Sequence, residues 1–376
     1  MAVHSRELFD RSVLYKNLIR PLLFIGDPEK THERTLALLS KMTPLESVLE
    51  QIFSVQDPRL CVKVDTLTFP NPVGLAGGFD KNAVAVKTIA GFGFGFIEIG
   101  AVTSLAQPGN PKPRLYRLPE DQALINRLGF NNEGAAAIAQ RLRTLREDGK
   151  PLKIPLGINL GRSKIVETKD AVADFLSAFN QLFSFGDFFT LNVSSPNTPQ
   201  LRDLQEKNLL KGLLQAIQAS NRDVAARVGV KPKPILVKIA PDMEFSQADD
   251  IIEVALAEKV SGLIATNATA FLRETLASGS QEPGGLSGKP LKSLATSFVR
   301  HLYRAVGARL PIIGVGGIFT ADDAYEKITA GATAVQIYTG FVYEGPAAVK
   351  RINQGLIRLM ERDGYRSIAD AVGQKS

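Results

Sequence analysis

Residues Asn192-Val193-Ser194-Ser195-Pro196-Asn197-Thr198 directly follow the apolar run Phe188-Phe189-Thr190-Leu191. Two amides, three hydroxyls and a proline thus stand within seven residues, at the end of what reads as a buried strand. A core has no use for that much polarity, because every buried polar group must be hydrogen-bonded or it costs free energy. A site that grips a polar planar substrate and moves a proton does need it. Competing proton carriers are scarce. The one cysteine is Cys61, and His4, His32 and His301 are scattered without metal-ligand spacing. A zinc site, a cysteine nucleophile and a Ser-His-Asp triad are all disfavoured, and no metal is expected.

Other polar residues follow short apolar runs in the same way. Gly77, Gly78, Asp80 and Lys81 come after 73–76, Asn159 after 155–158, and Thr266 and Asn267 after 262–265. One such residue alone would read as a loop cap, but five or more on one face would not. Lys238 lies inside Ile235-Leu-Val-Lys-Ile239, where a charge is costly unless paired. It is either one half of a structural salt bridge or a cation beside an electron-rich ligand such as a reduced flavin. Gly314-Val-Gly-Gly317 and Tyr338-Thr339-Gly340 follow the last two runs, and Gly284-Gly-Leu-Ser-Gly288 is a third glycine segment. Glycine lets backbone approach an anion closely, so these are phosphate loops or simple turns. Thr320, Asp322 and Asp323 already cap and neutralise the helix start after Gly317, which leaves the Gly340 side as the expected dipole donor.

The elements that must position these residues are legible as alternation. Short apolar runs at 73–76, 96–99, 155–158, 188–193, 235–239, 262–265, 312–315 and 334–337 are separated by longer helical segments. Such alternation implies a parallel sheet. Eight repeats over roughly 270 residues suit a closed (β/α)8 TIM barrel, whose active site is built at the C-terminal strand ends. A doubly wound open sheet is the runner-up. It would need Gly-x-Gly-x-x-Gly after an early strand, whereas Gly91-Phe-Gly-Phe-Gly95 precedes its strand.

Composition sets the outer bounds. The 376 residues are 44% hydrophobic, which suits one large domain with a small appendage. The net charge of +7 allows anionic partners, or an ordinary basic surface. No block of consecutive Lys and Arg occurs, and residues 1–50 carry seven acids against seven Lys plus Arg, so nucleic acid is not an expected partner. Leu8, Val13, Leu14 and Leu18 recur at near-helical spacing, and Gly26 breaks the pattern. Asp27-Pro28 then offers an N-cap and a first-turn proline, and Leu36, Leu39 and Met42 form a second stripe. Two short helices are expected, with more apolar residues than such a pair can bury. They either pack on the main domain or present a patch to lipid. Pro21–Gly26, the longest early apolar run, is far short of the roughly 20 residues that span a bilayer. Glu7 and Asp10 argue against a secretory or transit peptide, so the chain is expected to stay in the cytosolic compartment.

The motifs together are similar to one known family. Asn71-Pro-Val-Gly-Leu-Ala-Gly-Gly-Phe-Asp-Lys81, Phe96-Ile-Glu-Ile-Gly100, Asn126-Arg-Leu-Gly-Phe-Asn-Asn132, Asn192–Thr198, Val237-Lys-Ile-Ala-Pro-Asp242, Ala265-Thr-Asn267, Gly284–Gly288 and Gly314-Val-Gly-Gly-Ile318 occur in order. The chain resembles the dihydroorotate dehydrogenases, and within them the quinone-dependent, membrane-associated class 2. The resemblance covers nearly the whole chain.

It implies one FMN on a (β/α)8 barrel, oxidation of dihydroorotate to orotate in pyrimidine synthesis, and ubiquinone or menaquinone as acceptor. By that likeness FMN would be held by Gly77, Gly78, Phe79, Asp80, Lys81, Ala101, Asn159, Asn192, Lys238, Thr266, Gly288, Gly317, Tyr338 and Thr339. Substrate would be bound by Lys81, Asn126, Arg127, Leu128, Gly129, Phe130, Asn192, Asn197, Asn267 and Ala268. Ser195 matches the catalytic base, where class 1 relatives place a cysteine; Cys61 precedes the barrel, which favours class 2. A hydroxyl is a poor base unaided. Thr198 with a bound water is one conceivable relay, with Lys81 stabilising the anion. Residues 1–45 resemble the two-helix quinone entrance, and 46–376 the catalytic barrel. The implied protein is a monomer lying peripherally on the cytoplasmic side of the cell inner membrane. Deleting 1–45 is expected to abolish quinone reduction and spare flavin reduction. Ala101 and Ala268 depart from the threonines many relatives carry, and weaker or water-replaced contacts are expected there.

Overall fold

A computed structural model describes residues 11–147 and 149–376. His4, Glu7, Leu8 and Asp10 lie outside the described residues. Among the described residues thirteen strands follow one another: β1 (Val62–Val64), β2 (Leu67–Phe69), β3 (Val73–Leu75), β4 (Phe96–Val102), β5 (Leu115–Leu118), β6 (Ala123–Asn126), β7 (Leu156–Leu160), β8 (Phe188–Asn192), β9 (Ile235–Ile239), β10 (Gly262–Ala265), β11 (Gly285–Gly288), β12 (Ile312–Val315) and β13 (Ala334–Ile337). Eight of them close a parallel barrel in the order β3-β4-β7-β8-β9-β10-β12-β13, with β13 pairing back onto β3. These are the eight runs expected from alternation, with ends differing by a few residues. They are legible because parallel strands are covered on both faces and so read as continuous apolar runs.

Glycines inside two strands make room for the barrel filling. A Cβ at Gly74 would meet the Phe96 ring at 2.3 Å, and one at Gly157 would meet the Phe188 ring at 2.1 Å. Large side chains on β4 and β8 therefore face small ones on their neighbours, as barrel layers require. Phe69, from the antiparallel hairpin β1–β2, stacks on Phe96 with centroids 4.1 Å apart and helps close the N-terminal end. The opposite end is partly roofed by an antiparallel sheet in the order β11-β6-β5. The hairpin and this sheet are additions to the sequence expectation. Gly285–Gly288 is thus a strand paired to β6 rather than a loop, because its partner supplies the hydrogen bonds that the glycines alone do not suggest.

The N-terminal segment is helical from Arg11 to Ile25, with one π-helical turn at Tyr15–Ile19. Gly26 is extended, the Asp27 carboxylate accepts from Lys30 N–H (2.8 Å), and a helix runs Pro28–Lys41. The inner side is tied to the barrel by Tyr15 Oη donating to Val342 O (2.7 Å) and by the Lys16–Glu344 ion pair (2.5 Å). The second stripe packs inward, with Leu39 buried and Leu36 and Met42 against the core. The first faces water: Val13, Leu14 and Leu18 are 52%, 50% and 56% exposed, and Leu22 and Ile25 beyond them are 63% and 83% exposed. Among the described residues no helix is long and apolar enough to cross a membrane.

Candidate active site

The C-terminal strand ends open into a cleft. Gly77, Gly78 and Lys81 reach it from β3, Ala101 from β4, and Asn192, Ser195 and Asn197 from β8. Lys238 comes from β9, and Thr266, Asn267 and Ala268 from β10. Gly317 follows β12, and Tyr338 and Thr339 follow β13. Asn126, Leu128, Gly129 and Phe130 line it from the end of β6, and Gly288 from β11. The antiparallel sheet thus brings the 126–130 turn over the serine loop.

A chain of polar groups underlies the cleft. Glu98 is fully buried and accepts from Asn159 Nδ2 (2.6 Å), Thr190 Oγ1 (3.0 Å) and Gln336 Nε2 (3.1 Å). Asn159 Oδ1 accepts from Asn192 Nδ2 (3.0 Å). Asn192 Oδ1 accepts in turn from Ser194 Oγ (3.0 Å) and Asn267 Nδ2 (3.3 Å). Burial pushes the Lys238 amine below its ordinary pKa, and the Glu98 carboxylate counteracts this. Lys238 has no direct ion pair among the described residues and lines the cleft, which favours the ligand-facing reading over a structural salt bridge.

Ser195 is buried, and its Oγ accepts from Asn197 N–H (3.2 Å), which leaves its hydrogen free. The loop is braced on both sides. Asn197 Nδ2 donates to Asn126 O (3.0 Å), and Arg202, paired with Asp242 (2.8 Å), donates to Ser194 O (3.2 Å). Thr198 Oγ1 is buried without a protein partner. Burial lowers the Lys81 amine to about 8; the Glu29 carboxylate pulls it back up and Arg114 pushes it further down. Burial raises the Tyr338 hydroxyl to about 12, so it stays protonated and donates to Gly78 O (3.3 Å).

Four of the site residues implied by the resemblance do not line the cleft, and neither does Thr198. Asp80 is fully buried and its carboxylate caps the turn that follows, accepting from Val84 N–H (2.9 Å) and Ala85 N–H (2.8 Å). Phe79 packs edge-on against His32, Tyr338 and Phe341. Asn159 is one layer down, in the chain above. The Arg127 side chain turns outward to Glu282 (3.3 Å) and to Tyr116 Oη (2.8 Å). Conversely Leu291 and Gln336 line the cleft without having been anticipated, and Ser287 and Ile318 do so from within segments quoted above for their glycines. Gln336 was findable: it interrupts Ala334-Val-Gln-Ile337 as Lys238 interrupts its own strand.

A closed (β/α)8 barrel with a lysine in its wall and a braced serine loop at its mouth defines a barrel enzyme acting on a small polar substrate. The family model described as dihydroorotate dehydrogenase matches residues 59–360. The chain is 48% identical to the dihydroorotate dehydrogenase (quinone) of Gloeobacter violaceus, over 96% of this chain and 98% of that protein. It is 46% identical to that of Acaryochloris marina, over 96% and 100%. The crystal structure of DHODH from Eimeria tenella in complex with ferulenol superposes with a TM-score of 0.86 at 37% identity, covering 93% of this chain and 96% of that one. The chain belongs to the dihydroorotate dehydrogenase family, among its quinone-dependent members.

Proposed function

We propose that this cleft oxidises dihydroorotate to orotate for pyrimidine synthesis with FMN as resident cofactor, and that a membrane quinone takes the electrons. The observation that carries the reading is the convergence in one cleft of the Ser195 loop, the Asn126, Asn192, Asn197 and Asn267 amides, and the cations Lys81 and Lys238. The residues fit an FMN. A Cβ at Gly77 would meet Glu98 Oε1 at 2.5 Å and one at Gly317 would meet Lys292 Cβ at 2.4 Å, so backbone alone forms those walls. Gln336 Oε1 is buried without a protein partner at the same cleft, as a ring N–H would require.

Gly77, Gly78, Lys238, Thr266, Gly288, Gly317, Tyr338 and Thr339 would hold FMN directly, and Asn159 would hold it through Asn192. FMN supplies the two-electron acceptor that links the substrate to the quinone. Ser195 takes the proton from C5 of dihydroorotate as a hydride leaves C6, so a C5=C6 double bond forms with loss of two electrons and two hydrogens. Ser195 gives up its own hydroxyl hydrogen in the same step to a bound water, which Thr198, three residues on with an unpartnered hydroxyl, would help to hold. Asn126, Asn197 and Asn267 orient the ring amides, and Lys81 faces the carboxylate. Ala101 and Ala268, without hydroxyls, leave their share of contacts to water.

Residues 1–45 form the quinone-access segment and 46–376 the catalytic domain, acting as a monomer. The exposed Leu14–Leu18–Leu22 stripe supports peripheral contact with the cytoplasmic face of the cell inner membrane. The purified protein is expected to be yellow, to bleach with dihydroorotate, and to recover its colour with decylubiquinone but not with fumarate. A colourless protein that takes up no added FMN overturns the reading.

Orotate binding supplies a pH test. The carboxylate binds the ammonium form of Lys81, and in the free site that form titrates at about 8. Above that pH the ammonium fraction falls about tenfold per unit, and orotate affinity falls with it. Calorimetric titrations from about pH 7 to 9.5 read this directly. A flat profile removes Lys81 from the carboxylate.

A further inference from the structure

The helix Pro28–Lys41 carries a buried carboxylate that reaches away from the exposed stripe and into the barrel mouth. Glu29 is buried, and so is Arg114 at the start of β5. Arg114 Nε donates to both Glu29 oxygens (3.1 and 3.0 Å) and Nη2 to one of them (2.7 Å). The other arm of the fork does different work. Nη1 donates to Pro108 O and to Asn110 O, each at 2.6 Å, and so fixes the shape of the 107–113 loop. A Cβ at Gly109 would meet Arg114 Nη1 at 2.7 Å and Leu128 O at 2.3 Å, so the loop is fitted to this guanidinium.

Asn110 spends both amide hydrogens on the active site. Nδ2 donates to Arg127 O (2.9 Å), within the substrate turn, and to Asn197 O (3.2 Å), within the serine loop. Its backbone N–H donates to Leu128 O (3.1 Å), and Arg127 N–H donates back to Arg114 O (2.8 Å). One unbroken path of hydrogen bonds therefore runs from the N-terminal helix to both walls of the substrate pocket.

We propose that Glu29, Arg114 and Asn110 are positioning residues for dihydroorotate, through which the N-terminal helix sets the spacing between the 126–130 turn and the Ser195–Asn197 loop. The inference rests on the proposed placement of substrate between those two segments. It changes what a truncation means. Deleting residues 1–45 removes Glu29 and leaves the Arg114 guanidinium without its carboxylate partner, so the deletion alters the dihydroorotate half-reaction as well as the quinone one.

Point variants of the full-length, FMN-loaded protein separate the effects. Glu29→Gln removes the charge but keeps the shape, and Asn110→Ala removes the two bonds to the walls. Each is expected to raise the orotate Kd about fivefold or more with FMN content unchanged; Asn110→Ala is expected to keep the melting temperature, whereas Glu29→Gln lowers it because the buried guanidinium loses its counter-charge. Because the two residues act in series, the double variant is expected to bind within about twofold of the weaker single variant. Arg114→Lys keeps the buried ion pair but has no planar fork, and it is expected to match Asn110→Ala; it decides the matter if Glu29→Gln fails to accumulate. An orotate Kd within about twofold of the unaltered protein in these single variants overturns the link, as do losses that multiply in the double variant. An unaltered protein that does not bind orotate at all sinks the proposed function instead.

Discussion

Replacing Ser195 by alanine is expected to slow dihydroorotate-dependent flavin bleaching by about 10²–10⁴, the usual worth of a positioned general base, while FMN and orotate stay bound. The separation follows from how the loop is held. Its braces are Asn197 Nδ2 on Asn126 O and Arg202 on Ser194 O, and neither uses the Ser195 side chain. The alanine variant loses one acceptor, for Asn197 N–H, at a cost of about 1 kcal/mol, too little to unfold the loop. Anaerobic stopped-flow mixing measures the rate, and a Ser195→Ala protein that bleaches at the unaltered rate removes Ser195 from the role. Ser195→Cys adds a sign. A thiol ionises at about 8.5 in water, so its rate is expected to rise with pH towards that value, where the serine enzyme has no such step.

The second large effect is expected at the N-terminal helix. Leu14, Leu18 and Leu22 recur every fourth residue, so they form one exposed stripe. Burying the exposed half of each in lipid is worth about 1 kcal/mol, or about 3 kcal/mol for the three. Changing all three to glutamine is then expected to weaken vesicle binding about a hundredfold, and to lower turnover of a long-chain quinone held in those vesicles by a similar factor. Bleaching by dihydroorotate is expected to be unchanged, because Glu29 and its path to the cleft stay in place. Vesicle sedimentation and the two half-reactions, measured separately, check this. Unchanged sedimentation overturns the membrane assignment.

These expectations differ in how far they could be read from residues alone. The barrel strands were legible because burial on both faces leaves each an apolar run with at most one or two polar residues in it. Against that background Lys238 is conspicuous by its charge, and Gln336 less so because an amide carries none. The roof was not legible. Leu115-Tyr-Arg-Leu118 is half exposed, and Gly285-Leu-Ser-Gly288 has the composition of a turn, so only pairing with β6 identifies either as a strand. Side-chain direction was the other gap. Asp80 and Arg127 sit among cleft residues in sequence, yet one turns under its own loop and the other out to Tyr116 and Glu282. The partition of the N-terminal stripes also depends on the fold: spacing gave two apolar faces, and only contact with the barrel decides which is covered.

Glu98 gives the cleft floor a sense of direction. Its oxygens accept from Asn159, Thr190 and Gln336, so Asn159 turns its amide nitrogen towards it and its oxygen away. Asn192 must then offer its nitrogen to Asn159 and its oxygen to Ser194 and Asn267. No amide along this line can flip unless its neighbours flip too. One buried carboxyl group thereby writes the order of donors and acceptors that a bound ring meets, and a ring with the opposite order finds like facing like at several points together.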